Sequence, residues 1–158
     1  MHFSKEASAM LIQLVTSFIA SAAFGILFNV PRKVLVQCGF VGMLGWALYY
    51  SLSEEGFDIV VATIAAAFFV TLISQIFARM FKTPIIVFSV SGIIPLVPGG
   101  LAYDAMRMFV EGDYNLAMQA AARAFLISGA IAIGLIFSEV TNVIFKRPAM
   151  KKAPSGKP

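Results

Sequence analysis

The residues best equipped for chemistry in this sequence are concentrated between Pro84 and Arg123. Ser89, Ser91, Gly92, Pro95, Pro98, Gly99 and Gly100 crowd into one apolar stretch, Pro84-Ile85-Ile86-Val87-Phe88-Ser89-Val90-Ser91-Gly92-Ile93-Ile94-Pro95-Leu96-Val97-Pro98-Gly99-Gly100. Proline has no amide hydrogen and clashes with the preceding turn, so a continuous helix is not expected through this run. Backbone groups freed by a break cannot face hydrocarbon; they are buried in protein or line a polar cavity, and transporters use such breaks to offer backbone groups to a solute. These seven residues, together with Arg123, form the candidate substrate-binding set. A simple proline kink, or a helix that ends early into an outer loop, is the competing account.

Beyond Gly100, Asp104, Arg107 and Glu111 recur at three- and four-residue spacing and share one helical face. If this helix restarts inside a membrane, its first amides, at residues 99–102, carry a partial positive charge suited to a carboxylate. The acid–base–acid stripe must then face a water-filled path, because an isolated charge in hydrocarbon is costly. If the helix lies at the outer surface instead, the same charges are merely solvated. Both readings stay open. Asp104, nearest the break, is the candidate ion-coupling carboxylate. Arg123 follows Gln119 by one turn and has three roles open to it: holding a carboxylate, pairing with Asp104, or snorkelling to the interface.

Positioning these groups falls to a lipid-facing scaffold. Hydrophobic residues make up 59% of the chain and charged residues 13%, with a mean hydropathy of +0.88, far from the roughly 45–50% and 25% of an ordinary soluble domain. Crossing about 30 Å of hydrocarbon takes roughly 20 apolar residues. Runs of that kind occur at residues 7–28, 34–52, 59–77, 84–102 and 116–140. The expected fold is all-α and polytopic, with about five transmembrane helices, the fourth discontinuous at its Gly/Pro-rich break. About nine residues separate Pro84 from Gly92, which puts the irregular stretch near mid-depth at about 1.5 Å per residue.

The connections alternate in sign: Pro31-Arg32-Lys33 is basic, Ser53 to Asp58 acidic, Arg79 with Lys82 basic, and Asp104 to Asp113 net acidic. Basic loops mark the cytoplasmic side, so the N-terminus is expected outside and the C-terminus in the cytoplasm. Residues 1–147 then form the transmembrane domain and residues 148–158 a disordered, basic cytoplasmic tail. The first apolar run is longer than a signal core and its flank, Lys5 with Glu6, is not strongly basic, so it reads as an anchor.

Small residues recur at helical spacing at Ser17, Ser21 and Gly25, at Gly39, Gly42 and Gly45, and at Ala124, Ser128 and Ala132. Such stripes let helix backbones approach closely in lipid. Trp46, Tyr49 and Tyr50 read as an interfacial aromatic belt, with stacking on a ligand as the lesser alternative, and Glu139 as a residue of the cytoplasmic boundary, with a coupling role as its lesser alternative. The basic groups cap apolar runs rather than forming a patch, which argues against a nucleic-acid partner. One cysteine, Cys38, allows no internal disulfide. The single histidine is His2, and no phosphate loop, His-Glu-x-x-His pattern or nucleophile elbow occurs. Neither an enzyme nor a cofactor or metal site is expected.

The core of the run, Gly92-Ile93-Ile94-Pro95-Leu96-Val97-Pro98-Gly99-Gly100, followed by Tyr103 and a small-residue-rich last span, resembles the threonine/serine exporter family, and within it the short YjjB-type subunit. The resemblance reaches from the first span to Arg147. It implies export of threonine and serine, or of small dicarboxylates in some branches, driven by an ion gradient in the bacterial cytoplasmic (inner) membrane. It also implies a larger YjjP-type membrane subunit as partner. Two five-span halves of opposite topology would fit an inverted-repeat transporter. Self-association is left open, and so are two rival functions: a non-transporting scaffold that stabilises a partner, and a passive channel.

Overall fold

Residues 2–145 are described by the computed structural model, with side chains described for residues 8–144. Six α-helices follow one another: α1 (His2–Leu27), α2 (Leu35–Glu54), α3 (Ile59–Phe81), α4 (Ile85–Ile93), α5 (Gly99–Val110) and α6 (Tyr114–Phe145), with short 3₁₀ turns at Arg32–Val34 and Ile94–Leu96. Four helices are long and apolar enough to cross a bilayer, and α4 with α5, bent by 50° at their junction, supply a fifth crossing as one broken span. The chain is thus an all-α polytopic membrane protein with a discontinuous fourth span. The expected tail, residues 148–158, and the basic pair Lys146-Arg147 lie outside the described residues.

Each end of the bundle has its own way of stopping a helix. At the basic end, α1 and α3 finish on left-handed residues, Asn29 at φ 56° and Lys82 at φ 51°, and Pro31 and Pro84 then rule out continuation of the helix. At the acidic end, α2 and α5 run into Gly56 at φ 86° and Gly112 at φ 87°, a conformation open to glycine at no steric cost. An aspartate follows each glycine. Asp58 Oδ1 accepts from the Val60 amide at 2.8 Å and Asp113 Oδ1 from the Leu116 amide at 3.4 Å, capping α3 and α6.

Between these ends successive spans alternate in direction, with α4 and α5 sharing one, so that α3 and α6 run parallel and form a long seam. Gln75 Nε2 donates to the Ser138 carbonyl and Oγ, both at 3.2 Å, and Arg79 Nη2 donates to Asn142 Oδ1 at 2.7 Å. The main core, Val41, Ala66, Ala67, Val70, Leu96, Ile127 and Ile131, gathers α2, α3 and α6 around the break. A smaller one, Val30, Val34, Cys38 and Phe88, closes the basic end. Large apolar side chains elsewhere, Ile12, Ile26, Ile76, Ile86 and Phe137 among them, are exposed, as expected where lipid is the solvent.

Two stripes of small residues do what their spacing predicts. Ser17, Ser21 and Gly25 are buried on α1 and Gly39, Gly42 and Gly45 on α2; a Cβ on Gly39 would collide with Phe18 and one on Gly42 with Ser21, whereas one on Gly45 would meet Val70 of α3. The third differs: Ala124 is buried, but Ser128 and Ala132 are exposed, and the inward face of α6 runs through Ala117, Ala120, Ala124, Ile127, Ile131, Gly134 and Ser138. The covered face of α6 is set by its neighbours α3 and α5 and not by the step between small residues, since Ser17, Ser21 and Gly25 share that step and stay buried. α6 also starts well before its partner: Arg123 lies beside Asp58, at the first turn of α3, so the start of α6 projects past α3 with α5 packed along it.

Candidate functional site

The broken span shapes the acidic half of the molecule. Gly92, on the last turn of α4, packs against Val70 near mid-length of α3; a Cβ there would stand 2.5 Å from Val41 Cγ1 and 2.9 Å from Val70 Cγ1. From Ile94 the chain tightens into a 3₁₀ turn that contains Pro95, and Val97 is extended at φ −65°, ψ 127°. Pro98, at φ −77° and ψ 50°, closes a narrow turn in which the Gly99 amide donates to the Val97 carbonyl at 2.8 Å. α5 then begins with no side-chain cap. A Cβ at Gly99 or Gly100 would meet nothing within 4 Å, so the space at this helix start is open.

That space belongs to a cleft with two adjoining lobes. One, of about 250 Å³, is bordered by Trp46, Tyr49, Thr63, Pro95, Pro98 and Gly100. The other, of about 370 Å³, is bordered by Asp58, Val60, Arg123 and Leu126. Ile59, Leu101 and Ile127 border both. Thr63 donates its hydroxyl to the Ile59 carbonyl at 2.7 Å. Trp46 Nε1 donates to Gln13 Oε1 at 3.4 Å, and its ring lies 5.3 Å from that of Tyr49. Among the described residues neither Asp58 nor Arg123 is in an ion pair. Asp58 and Arg123 thus border one partly apolar hollow together with Leu101, in the first turn of the uncapped α5, a set of charges complementary to a small zwitterion.

The named site residues separate into groups. Pro95, Pro98, Gly100 and Arg123 border the cleft, and Gly99 opens the helix beside it. Ser89, Ser91 and Gly92 belong instead to the packed half: Ser89 Oγ donates to the Ile85 carbonyl at 3.2 Å and Ser91 Oγ to the Val87 carbonyl at 2.9 Å. Asp104 is turned to its own helix, with its Oδ1 3.7 Å from Arg107 Nη2, and Arg107 also reaches Glu111 Oε1 at 3.4 Å. Pairing of Arg123 with Asp104, one of the roles open to that arginine, is not formed among the described residues.

Over residues 13–141 the sequence matches the family described as Threonine/Serine exporter, ThrE. The chain belongs to the threonine/serine exporter family. Membership makes this membrane protein a transporter of the threonine/serine exporter type. No solved structure matches it.

In this exporter, sequence reasoning passed over Asp58 as a residue of these hollows and gave Trp46 and Tyr49 a ligand-stacking role only as the lesser alternative to an aromatic belt. Asp58 was legible only as a loop charge, although an aspartate directly before an apolar run also announces a helix cap. Trp46 and Tyr49, expected in an aromatic belt, are half-buried and turned toward Pro95.

Proposed function

We propose that this chain is the short, YjjB-type subunit of a secondary exporter and that threonine or serine occupies the cleft at the broken span. Arg123 and the amides of Gly100 and Leu101, left free in the first turn of α5, take the carboxylate, and Asp58 faces the ammonium group. The single observation that carries this reading is the shared cleft of Arg123, Asp58 and the uncapped start of α5. The carboxylate also argues for an amino acid over a dicarboxylate, because a second negative charge beside Asp58 is unfavourable in a partly desolvated hollow.

Asp104, four residues beyond Gly100, is the carboxylate we assign to ion coupling, acting through its pair with Arg107. The remaining parts of the proposal are a larger YjjP-type partner and the bacterial cytoplasmic membrane, with the N-terminus outside and the C-terminus, including tail 148–158, in the cytoplasm. The sign alternation of the connections supports that orientation. Residues 1–147 are the transmembrane domain in this reading.

The test is co-expression. Both subunits together are expected to lower intracellular threonine in cells loaded with a threonine dipeptide, and neither alone. An ionophore abolishes the effect. Unaltered threonine in the co-expressing strain, with both subunits present in the membrane, removes the proposal.

A further inference from the structure

The two ends of the α3/α6 seam carry matching chemistry with the helices exchanged. At the acidic end the carboxylate, Asp58, caps α3 and the guanidinium, Arg123, is on α6. At the basic end the guanidinium, Arg79, is on α3 and the carboxylate, Glu139, is on α6, and both border a second cleft of about 360 Å³. Thr83, Asn142 and Gln75 complete its polar lining. Asn142 Oδ1 accepts from Arg79 Nη2 at 2.7 Å, which fixes the guanidinium and leaves its other N–H groups available. Gln75, buried at 8% exposure, spends its amide nitrogen on Ser138, so its carbonyl oxygen is the group offered to the cleft. Among the described residues Arg79 and Glu139 are not joined in an ion pair.

The geometry points to a second binding site at the basic end, for the same class of ligand: a zwitterionic α-amino acid with a polar side chain. Opposite charges held apart across a hollow complement an ammonium and a carboxylate on one small molecule, while a dicarboxylate meets Glu139 as a like charge. The hydroxyl of threonine or serine finds Thr83, Asn142 or the Gln75 carbonyl. Between the two clefts the seam is closed. A Cβ on Gly134 would stand 2.7 Å from the Ile64 carbonyl oxygen and 3.0 Å from the Phe68 nitrogen, and the Gln75–Ser138 bonds lie on the basic side of that contact. Each cleft therefore serves one face of the membrane, and the basic-end cleft is where solute is loaded before transport to the other. This inference rests on the proposed export of amino acids.

Its test separates the two sites. Radiolabelled L-threonine is titrated onto the purified full chain in nanodiscs of phosphatidylcholine, whose headgroup has no primary ammonium, with size-exclusion profiles confirming that each variant is folded. Binding at two sites is expected in the wild type, at one in Arg123→Ala, and at none in Arg123→Ala with Glu139→Gln, with Glu139→Asp retaining the basic-end site. Should Arg123→Ala lose its fold, Asp58→Asn, which keeps a helix cap, takes its place. Binding in the double variant equal to that of Arg123→Ala overturns the basic-end site, as does complete loss in Arg123→Ala alone, which leaves the acidic-end site standing. Binding removed by Glu139→Gln and unaffected by Arg123→Ala supports the basic-end site and sinks the other. A folded wild type that binds no threonine refutes both. Displacement of threonine by added phosphatidylethanolamine from the Arg123→Ala protein assigns the cleft to a lipid headgroup and overturns the solute reading.

Discussion

α4 and α5 are two halves of one span, yet they are held in opposite ways. α4 packs against α1, α2 and α3 and buries Phe88, Ser91 and Gly92. α5 leans chiefly on α6, buries Ala105 alone, and exposes Tyr103, Met106, Phe109 and Val110. The first half is a wedge whose position is fixed by contact on three sides. The second is attached through one neighbouring helix and one irregular stretch, in which Pro95 and Pro98 give no amide to a helical ladder. A broken span of this kind divides the work: the packed half seals the membrane, and the loosely held half shapes the cleft and is the part able to shift against it.

The largest effect is expected where the sealed region is tightest. Gly134→Val places a branched side chain against the backbone of α3 at Ile64 and Phe68, and backbone cannot move aside as a side chain tip does. Overpacking costs about 1–3 kcal/mol in ordinary cores and more where nothing gives, so this variant is expected to lose most of its folded yield, measured as the monodisperse fraction after detergent extraction. A normal yield would mean that the seam is looser than its contacts imply.

Glycines on either side of the break sharpen the comparison. Gly92→Ala meets the stiff β-branched Val41 and Val70 and is expected to lower thermal stability by about 1–3 kcal/mol. Gly100→Ala meets nothing within 4 Å, and alanine in a helix is favoured over glycine by roughly 0.5–1 kcal/mol, so stability should hold or rise. Export should nevertheless fall about tenfold, the equivalent of about 1.4 kcal/mol, because the methyl group enters the cleft and shields the α5 amides. Equal thermal shifts in the two variants would erase the distinction between wedge and lever.

The same contrast explains what was legible in the sequence. Apolar run length and loop charge reveal five crossings because both are properties of lipid as solvent, and the Pro/Gly cluster from Gly92 to Gly100 marks the break because proline acts locally. Which side chains meet is a property of packing between distant segments. Ser89 and Ser91 resemble binding residues on composition, but each hydroxyl is consumed by its own helix, as is common for serine in apolar helices. Asp58 and Arg123 are far apart in sequence, and nothing short of the parallel α3/α6 seam brings them together. Even the stripe at Ala124, Ser128 and Ala132 misled, because which face of α6 is covered depends on α3 and α5 rather than on where its small residues recur.

A more selective change separates charge from architecture within the cleft. Asp58→Asn retains an N-cap oxygen of nearly equal strength, so α3 is expected to keep its stability while the ammonium loses its counter-charge. The half-saturating concentration of threonine should rise about tenfold, and a dicarboxylate such as succinate should compete better than it does in the wild type. Threonine transport unchanged in this variant would detach Asp58 from the substrate.

The smallest structural effect belongs to Asp104. Its pair with Arg107, at 3.7 Å, joins side chains that are both nearly half exposed, 46% and 48%, and a surface pair of this sort contributes about 0.2–1 kcal/mol. Asp104→Asn should therefore leave thermal stability within that margin. If the carboxylate couples export to an ion gradient, the variant will still exchange threonine for labelled threonine across vesicles while failing to accumulate it against a gradient. A purely structural role for the Asp104–Arg107–Glu111 stripe predicts the reverse pattern, with exchange and accumulation reduced together and only slightly. The loosely held half of the span then acts as a rim of the cleft rather than as the part that senses the ion.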